Sequence, residues 1–238
     1  LLKGKNALIT GAAKRIGKEI ALALASAGTN IVLHYRDSKS EAESLAGVLQ
    51  KKDVKCWLVQ ADFEKPGDYE TLIERASACC GQIDILINSA SIFPAGSINE
   101  LDWPELIRNI RVNAWVPFYL GRSFAAKTGK GVIINLLDSR IRSLNPSHAA
   151  YILSKKLLEY LTLMMAGEFA PGIRVNAVAP GLILPPQGED ESYLENLIDS
   201  VPLKRHGSAH DIAQTVMLLV NNDFITGEII FVDGGMNI

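Results

Sequence analysis

Residues 6–17, NALITGAAKRIG, run from a short apolar segment through a glycine-bearing turn into the start of an amphipathic stretch. Gly11 permits the sharp turn, and Gly17 permits close packing of helix on strand. The N–H groups that open the helix are then free to hold a pyrophosphate. Two glycines alone are a common pattern, so their meaning depends on what surrounds them.

The same alternation continues along the chain. After a helix over about 15–27, NIVLHY (30–35) leads to SKSEAESLAGVLQ (38–50), and VKCWLVQ (54–60) leads to YETLIERASACC (69–80). IDILIN (83–88) precedes a long helical region over about 101–128, and GVIINLL (131–137) precedes a helix over about 148–169. IRVNAVAP (173–180) follows, and EIIFVDGG (228–235) closes the chain. Near-continuous apolar strands between helices require a parallel sheet covered on both faces. Right-handed crossovers make that a doubly wound α/β sheet of about seven strands. No linker, repeat or low-complexity segment divides the 238 residues, so one domain over 1–238 is expected. The irregular stretch at 181–207, GLILPPQGEDESYLENLIDSVPLKRHG, reads as a mobile substrate flap with a short helix. It leaves a strand on the side where such sheets bind ligands, although an ordinary surface loop fits the same composition.

With 48% hydrophobic and 21% charged residues the chain can bury one sizeable core. A formal charge of −2 gives no electrostatic reason to expect nucleic acid or an anionic membrane. The nearest approach to a basic run, KRHG at 204–207, reads as solvated surface. Cys56, Cys79 and Cys80 have no metal-site spacing, so no metal is expected. Cys79 and Cys80 read as small buried thiols at a helix end. The N-terminal LLKGKNALIT is too short in apolar residues for a signal peptide or membrane span, and a reducing cytoplasm is the simplest compartment.

Two further segments carry chemistry. The second strand ends in HYRDS (34–38), with Tyr35 and Arg36 where an acid would accept hydrogen bonds from an adenosine ribose. A guanidinium suits the 2′-phosphate of NADPH, with Ser38 as a further donor. Asp37 opposes that reading, and Arg36 paired with Asp37 or with a glutamate of the next helix is the alternative. The stretch NLLDSRIRSLNPSHAAYILSK (135–155) sets Tyr151 and Lys155 four apart at a helix start, and it sets Asp138 at the end of an apolar run. Tyr and Lys four apart share a helix face, and the ammonium is expected to lower the phenol from its usual pKa of about 10.

Together these segments resemble the short-chain dehydrogenase/reductase family over essentially the whole chain, through TGAAKRIG, ADF (61–63), NSAS (88–91), VNAW (112–115), YILSK, RVNAVAPG and FVDGG. The resemblance implies a Rossmann-like sheet and a bound nicotinamide cofactor. Its cofactor-lining positions fall on Gly11, Arg15, Ile16, Gly17, Asp62, Phe63, Asn88, Ala90, Pro180 and Gly181, with Asp62 near the adenine. It implies catalytic roles for Asn113, Tyr151 and Lys155, the lysine also holding the nicotinamide ribose, and a homotetramer packed through two long helices. Three positions depart from the habitual pattern. The middle glycine of the phosphate loop is Arg15, the threonine after the PG motif is Pro185, and the catalytic serine is Asp138.

The pteridine reductases and related dihydropteridine/dihydrofolate reductases share these features. They resemble the chain in TGAAKRIG with its arginine, in HYRDS…EAESLA, in the Asp–Tyr–Lys set and in ASIFP (90–94). That resemblance implies that Phe93 stacks on a pterin, that Ser91 and Arg15 contact it, and that the flap closes over it. Chemistry agrees. Reduction of a carbonyl builds negative charge on oxygen, which an ionised aspartate opposes. A pterin C=N bond takes hydride at carbon and a proton at nitrogen, and its ring N–H groups can donate to a carboxylate. Asp138 and Tyr151 together can then orient the ring and relay a proton.

Alternatives stay open at this point. Ser139 could be the catalytic hydroxyl if a bulge brings it round, since neighbours on a strand face opposite ways. Asp138 could merely brace its loop, and Phe93 could be packed core. The chain could be a general carbonyl reductase acting on a 3-oxoacyl group or small ketone, or a non-catalytic module that keeps the fold.

Overall fold

The computed structural model describes residues 2–143, 146–186 and 188–238. Among them, seven strands form one sheet: β1 (Asn6–Thr10), β2 (Asn30–Tyr35), β3 (Cys56–Gln60), β4 (Ile85–Asn88), β5 (Gly131–Leu136), β6 (Ile173–Pro180) and β7 (Ile229–Val232). Their order is β3-β2-β1-β4-β5-β6-β7, and every pairing is parallel. The order reverses between β1 and β4, where Thr10 pairs with Asn88. This is the single Rossmann-like sheet expected from the alternating pattern.

Side chains alternate along each strand, which is why β1 needs apolar residues throughout. Ala7 and Ile9 pack on one side with Ile20 and Leu24 of α1 (Arg15–Ser26) and Val216 and Leu219 of α9 (Ala209–Asn221). Leu8 packs on the other side with Leu120 and Phe124 of α6 (Val116–Thr128) and Met165 of α7 (Ala149–Phe169). The remaining helices are α2 (Lys39–Gln50), α3 (Pro66–Glu70), α4 (Leu72–Cys80), α5 (Trp103–Ile110) and α8 (Ser192–Glu195).

Three features differ from the sequence reading. Helix α9 has no counterpart among the elements expected from the sequence, although a capping box of Ser208 and Asp211 marks its start. The long helical region is not uniform: α5 and α6 are joined by a π-helical turn, Arg111–Trp115, which contains the fully buried Asn113. Widened turns of this kind are rare and recur at functional sites. Cys79 is exposed and Cys80 only partly buried, because the helix end reaches the surface. The segment at 181–207 carries α8 and a 3₁₀ turn, Ile198–Ser200. Gln187 of that segment lies outside the described residues.

β2 carries a polar side chain into the interior. His34 is 2% exposed, accepts from Gly11 N at Nδ1 (3.1 Å) and approaches the Ala61 carbonyl through Nε2 (3.0 Å). These roles fix the neutral tautomer with its proton on Nε2. The ring stacks on Phe63 at 4.5 Å. His34 thereby ties the loop after β1 to the loop after β3. Burial pushes its pKa down to about 4 from 6.5, against a smaller rise from the Ala61 carbonyl. Above pH 6.5 both folded and unfolded chains hold the ring neutral. As pH falls toward 4 only the unfolded chain takes up the proton, so folding stability drops, by about 3 kcal/mol over that window. Urea denaturation of the wild type and of His34→Asn at pH 7, 5.5 and 4 should show the pH-dependent loss shrinking by about that amount in the variant; equal losses in both would contradict the buried neutral ring.

Candidate active site

The loops after β1, β4, β5 and β6 converge where the strand order reverses, which is where a doubly wound sheet opens a crevice. Thr10 ends β1 with Oγ1 accepting from the N–H groups of Ser89 and Ala90, both at 3.0 Å. Gly11 follows in the left-handed region (φ 64°), and a Cβ on it would stand 2.8 Å from the Ala90 Cα. A Cβ on Gly17 would collide with the Gly11 carbonyl oxygen. Both glycines are thus dictated by backbone approach, and they leave the start of α1 open to an anion. No side chain caps that start, since Lys14 makes no capping bond.

Arg15 also takes a left-handed backbone (φ 56°), which accounts for a glycine being habitual there. Its Nη2 donates to the Pro185 carbonyl at 2.6 Å, joining the phosphate loop to the segment at 181–207. Ile16 packs against the core of the α1 side. Arg36 pairs with Asp37, as one sequence alternative held, and approaches Glu64 (3.7 Å) rather than a glutamate of α2. Arg108 grips the same Glu64 through two bonds of 2.7 and 2.9 Å, and that contact holds the Glu64 carboxyl below its usual range. Ser38 precedes α2 without a capping bond, and Tyr35 packs at the rim of the core.

Other cofactor candidates turn inward. The Phe63 ring is buried against His34, which leaves only its backbone for any ligand. Asp62 accepts from Glu64 N within its own loop. The Asn88 side chain is buried between strands and donates to Asn135 Oδ1 (2.9 Å) and to the Pro117 carbonyl. Ala90 faces Gly11, Pro180 ends β6, and Gly181 N donates to the Val232 carbonyl.

β5 and α7 bring the chemical groups together. Asp138 follows β5, and its Oδ2 accepts from the Tyr151 hydroxyl at 3.0 Å. Ser139 is 2% exposed while Asp138 faces Tyr151, so the carboxylate and not the neighbouring hydroxyl meets the phenol. Lys155 is 3% exposed and donates from Nζ to the Leu136 carbonyl at 2.7 Å. The expected lowering of Tyr151 by Lys155 is overturned. Burial, and next the negative charge of Asp138, push the phenol well above its ordinary value. Lys155 itself is brought down to about 8 by burial, against an upward pull from Asp138. Tyr151 is therefore a protonated phenol at neutral pH.

Asn113 connects the rest. Its Oδ1 accepts from Ser91 Oγ (3.0 Å) and Ile92 N (2.9 Å), and its Nδ2 donates to the Ile92 carbonyl (3.0 Å) and to Ser154 Oγ (3.1 Å). It thus braces the loop that carries Phe93 against α7. Phe93 meets Tyr151 edge to face at 4.7 Å and stacks on His148 at 4.0 Å. His148 has a left-handed backbone (φ 54°) and its Nδ1 lies 2.7 Å from the Pro94 carbonyl. The sequence reading missed His148, and it missed Arg140, whose Nε and Nη2 each donate to Asp138 at 3.2 Å. Both lie between β5 and α7, in a connection with no periodicity to mark them. Among the described residues no cluster of His, Cys, Asp and Glu could hold a metal ion. Among the described residues no helix is long and apolar enough to cross a membrane.

Residues 11–237 match the family model described as enoyl-(acyl carrier protein) reductase. The chain is 33% identical over 240 residues to the 3-oxoacyl-(acyl-carrier-protein) reductase FabG of Staphylococcus epidermidis, covering 98% of each. Among solved structures it superposes with a TM-score of 0.94 and 34% identity on FolM alternative dihydrofolate reductase 1 from Brucella suis in complex with NADP, covering 100% of this chain and 96% of that one. A short chain dehydrogenase from Burkholderia cenocepacia in complex with NADP gives the same TM-score at 28% identity, covering 100% and 99%. With the full length matched in sequence and in fold, the chain belongs to the short-chain dehydrogenase/reductase family.

Proposed function

We propose that the protein is an NADPH-dependent reductase that delivers hydride to the C=N bond of a pterin or dihydropterin, dihydrofolate included. The observation that carries this reading is the Asp138 carboxylate bonded to the buried Tyr151 hydroxyl, with the Phe93 ring beside them. The residues fit the cofactor. The Gly11–Gly17 turn leaves a cradle that a Cβ would fill, and α1 opens without a cap, so this turn would hold the pyrophosphate. Arg36 would take the 2′-phosphate on leaving Asp37 and Glu64, and Lys155 the nicotinamide ribose. NADP in the FolM neighbour supports the same choice.

When bound, NADPH supplies the hydride. Tyr151 supplies the proton to the ring nitrogen, because its phenol stays protonated through the neutral range. Asp138 accepts from ring N–H groups and fixes the ring's orientation, and Asn113 holds the Ser91–Phe93 loop that forms one wall. The segment at 181–207, tethered by Arg15, would cover the pterin. A second reading, reduction of a 3-oxoacyl group, is favoured by the 33% identity to FabG. The carboxylate beside Tyr151 counts against it, since a developing alkoxide there meets a negative charge.

The exposed apolar residues Leu153, Leu157, Tyr160 and Met164 form a stripe along α7, and Trp115 is exposed in the π-helical turn. They support a homotetramer packed through the long helices.

NADPH oxidation measured with dihydrobiopterin, dihydrofolate and a panel of ketones should show pterin turnover, falling about 100-fold or more in Asp138→Ala. Turnover of ketones alone, rising in Asp138→Ser, would move the assignment to the 3-oxoacyl reading. The rate should also decline above about pH 8 as Lys155 loses its proton, with the limb absent from the residual activity of Lys155→Arg. Light scattering should give four chains per particle, and Leu157→Asp with Met164→Asp should lower that number; an unchanged mass would remove the interface from α7.

A further inference from the structure

The loop after β4 is fastened at two successive pairs of residues. Asn113 holds Ser91 and Ile92. Phe93 and Pro94 are held by His148. Its Nδ1 lies 2.7 Å from the Pro94 carbonyl, and since a carbonyl can only accept, Nδ1 carries the proton and donates. Its ring lies on that of Phe93 with centres 4.0 Å apart and planes 14° apart. The backbone adds a bond from Ala149 N to the Gly96 carbonyl (3.1 Å) and an antiparallel bridge between Ser97 and Ser147.

His148 stands immediately before α7, and Tyr151 lies three residues on, in the first turn. Positions three apart are neighbours on a helix surface, and here both side chains touch one ring. Tyr151 meets Phe93 edge to face at 4.7 Å, and His148 meets it face to face. A single helical turn thereby sets the place of Phe93 relative to the phenol. The grip uses the left-handed backbone of His148 (φ 54°, ψ 40°), which residues with a Cβ adopt reluctantly and which adds no side-chain cap to the helix. Arg140 also approaches the ring, its guanidinium carbon 4.8 Å from the centre, but its bonds run to Asp138 and not to α7.

Ile92 packs against the core on the α6 and α7 side, whereas Phe93 and His148 are only half-buried. The stacked pair therefore stands at the wall of the crevice. A ring at 4.0 Å shuts one face of Phe93 to any ligand, so what a ligand meets is a platform already backed. We propose that His148 is a positioning residue: it holds Phe93 as a fixed platform one helical turn from Tyr151, so that a flat heterocycle can stack there without first ordering the loop. The inference rests on the pterin reading and concerns the wall that receives the ring, not the reacting atoms.

The test uses the full-length wild type, His148→Asn, which tolerates the left-handed backbone but has no ring, and His148→Phe, which keeps a ring without the bond to Pro94. Thermal melts confirm that each is folded. In His148→Asn the KM for dihydrobiopterin should rise about 5- to 10-fold, the worth of one aromatic contact. Its kcat should stay within about threefold of the wild type, which marks lost binding and not lost chemistry. His148→Phe should recover most of the rise, and the KM for NADPH should stay as it is in both. An unchanged KM for dihydrobiopterin in His148→Asn overturns the proposal. So does an equal rise in the KM for NADPH, the sign of a general loosening. A fall in kcat at unchanged KM, with loss of the acid limb of the pH–rate profile, would put His148 in proton transfer and overturns it too. A wild type inert toward dihydrobiopterin would instead defeat the pterin reading. An aryl ketone, whose ring needs the same platform, then decides the inference: a KM raised in His148→Asn and restored in His148→Phe upholds it, and a KM unaltered in both overturns it.

Discussion

Between β1 and β4 the chain leaves the sheet in two directions, and the loops on either side must come close enough to share one crevice. Their separation is fixed by the Thr10 hydroxyl, which accepts two N–H groups from the loop after β4, and by Gly11, which has no Cβ to hold Ala90 off. His34 adds a bond to the Gly11 amide from behind. With that contact set, the start of α1, the Ser91–Phe93 loop and the end of β5 face the same space.

Within that space the Asp138 carboxylate sets the electrostatics, and it opposes a negative charge growing on a neighbouring oxygen. A buried phenol beside a carboxylate resists ionisation, and a buried ammonium bonded to a carbonyl gives up its proton more readily than usual. Such a pair accords with the proposed substrate, which needs a proton at nitrogen. It suits less well a substrate whose transition state needs a donor array around oxygen.

Much of this was legible in the residues. Apolar strands such as IDILIN and GVIINLL announced a sheet buried on both faces, and the carboxylate at 138 with the phenol at 151 did meet. What escaped has physical causes. Spacing of four puts Tyr151 and Lys155 on one helix face, but it fixes only where the Cβ atoms point. The Lys155 ammonium ends on the Leu136 carbonyl, and burial governs the phenol more than that charge does. A π-helical turn at Asn113 leaves no periodic trace, because one extra residue per turn looks like noise in a 3.6-residue pattern. His148 and Arg140 belong to a connection whose geometry is decided by the strand and helix it joins. Asn88 and Phe63 read as cleft residues by position, yet their side chains found better partners inward.

Arg15 gives the phosphate loop and the segment after β6 a common anchor. In mechanical terms the two are coupled through one strut. Its backbone sits in a narrow left-handed well, and its side chain ends on a carbonyl across the crevice. A displacement of either segment is felt by the other within the length of one side chain. An insertion or deletion between Gly181 and Pro185 would shift the strut's far end, and its effect would be transmitted to the turn at Gly11 without any change in the residues of that turn.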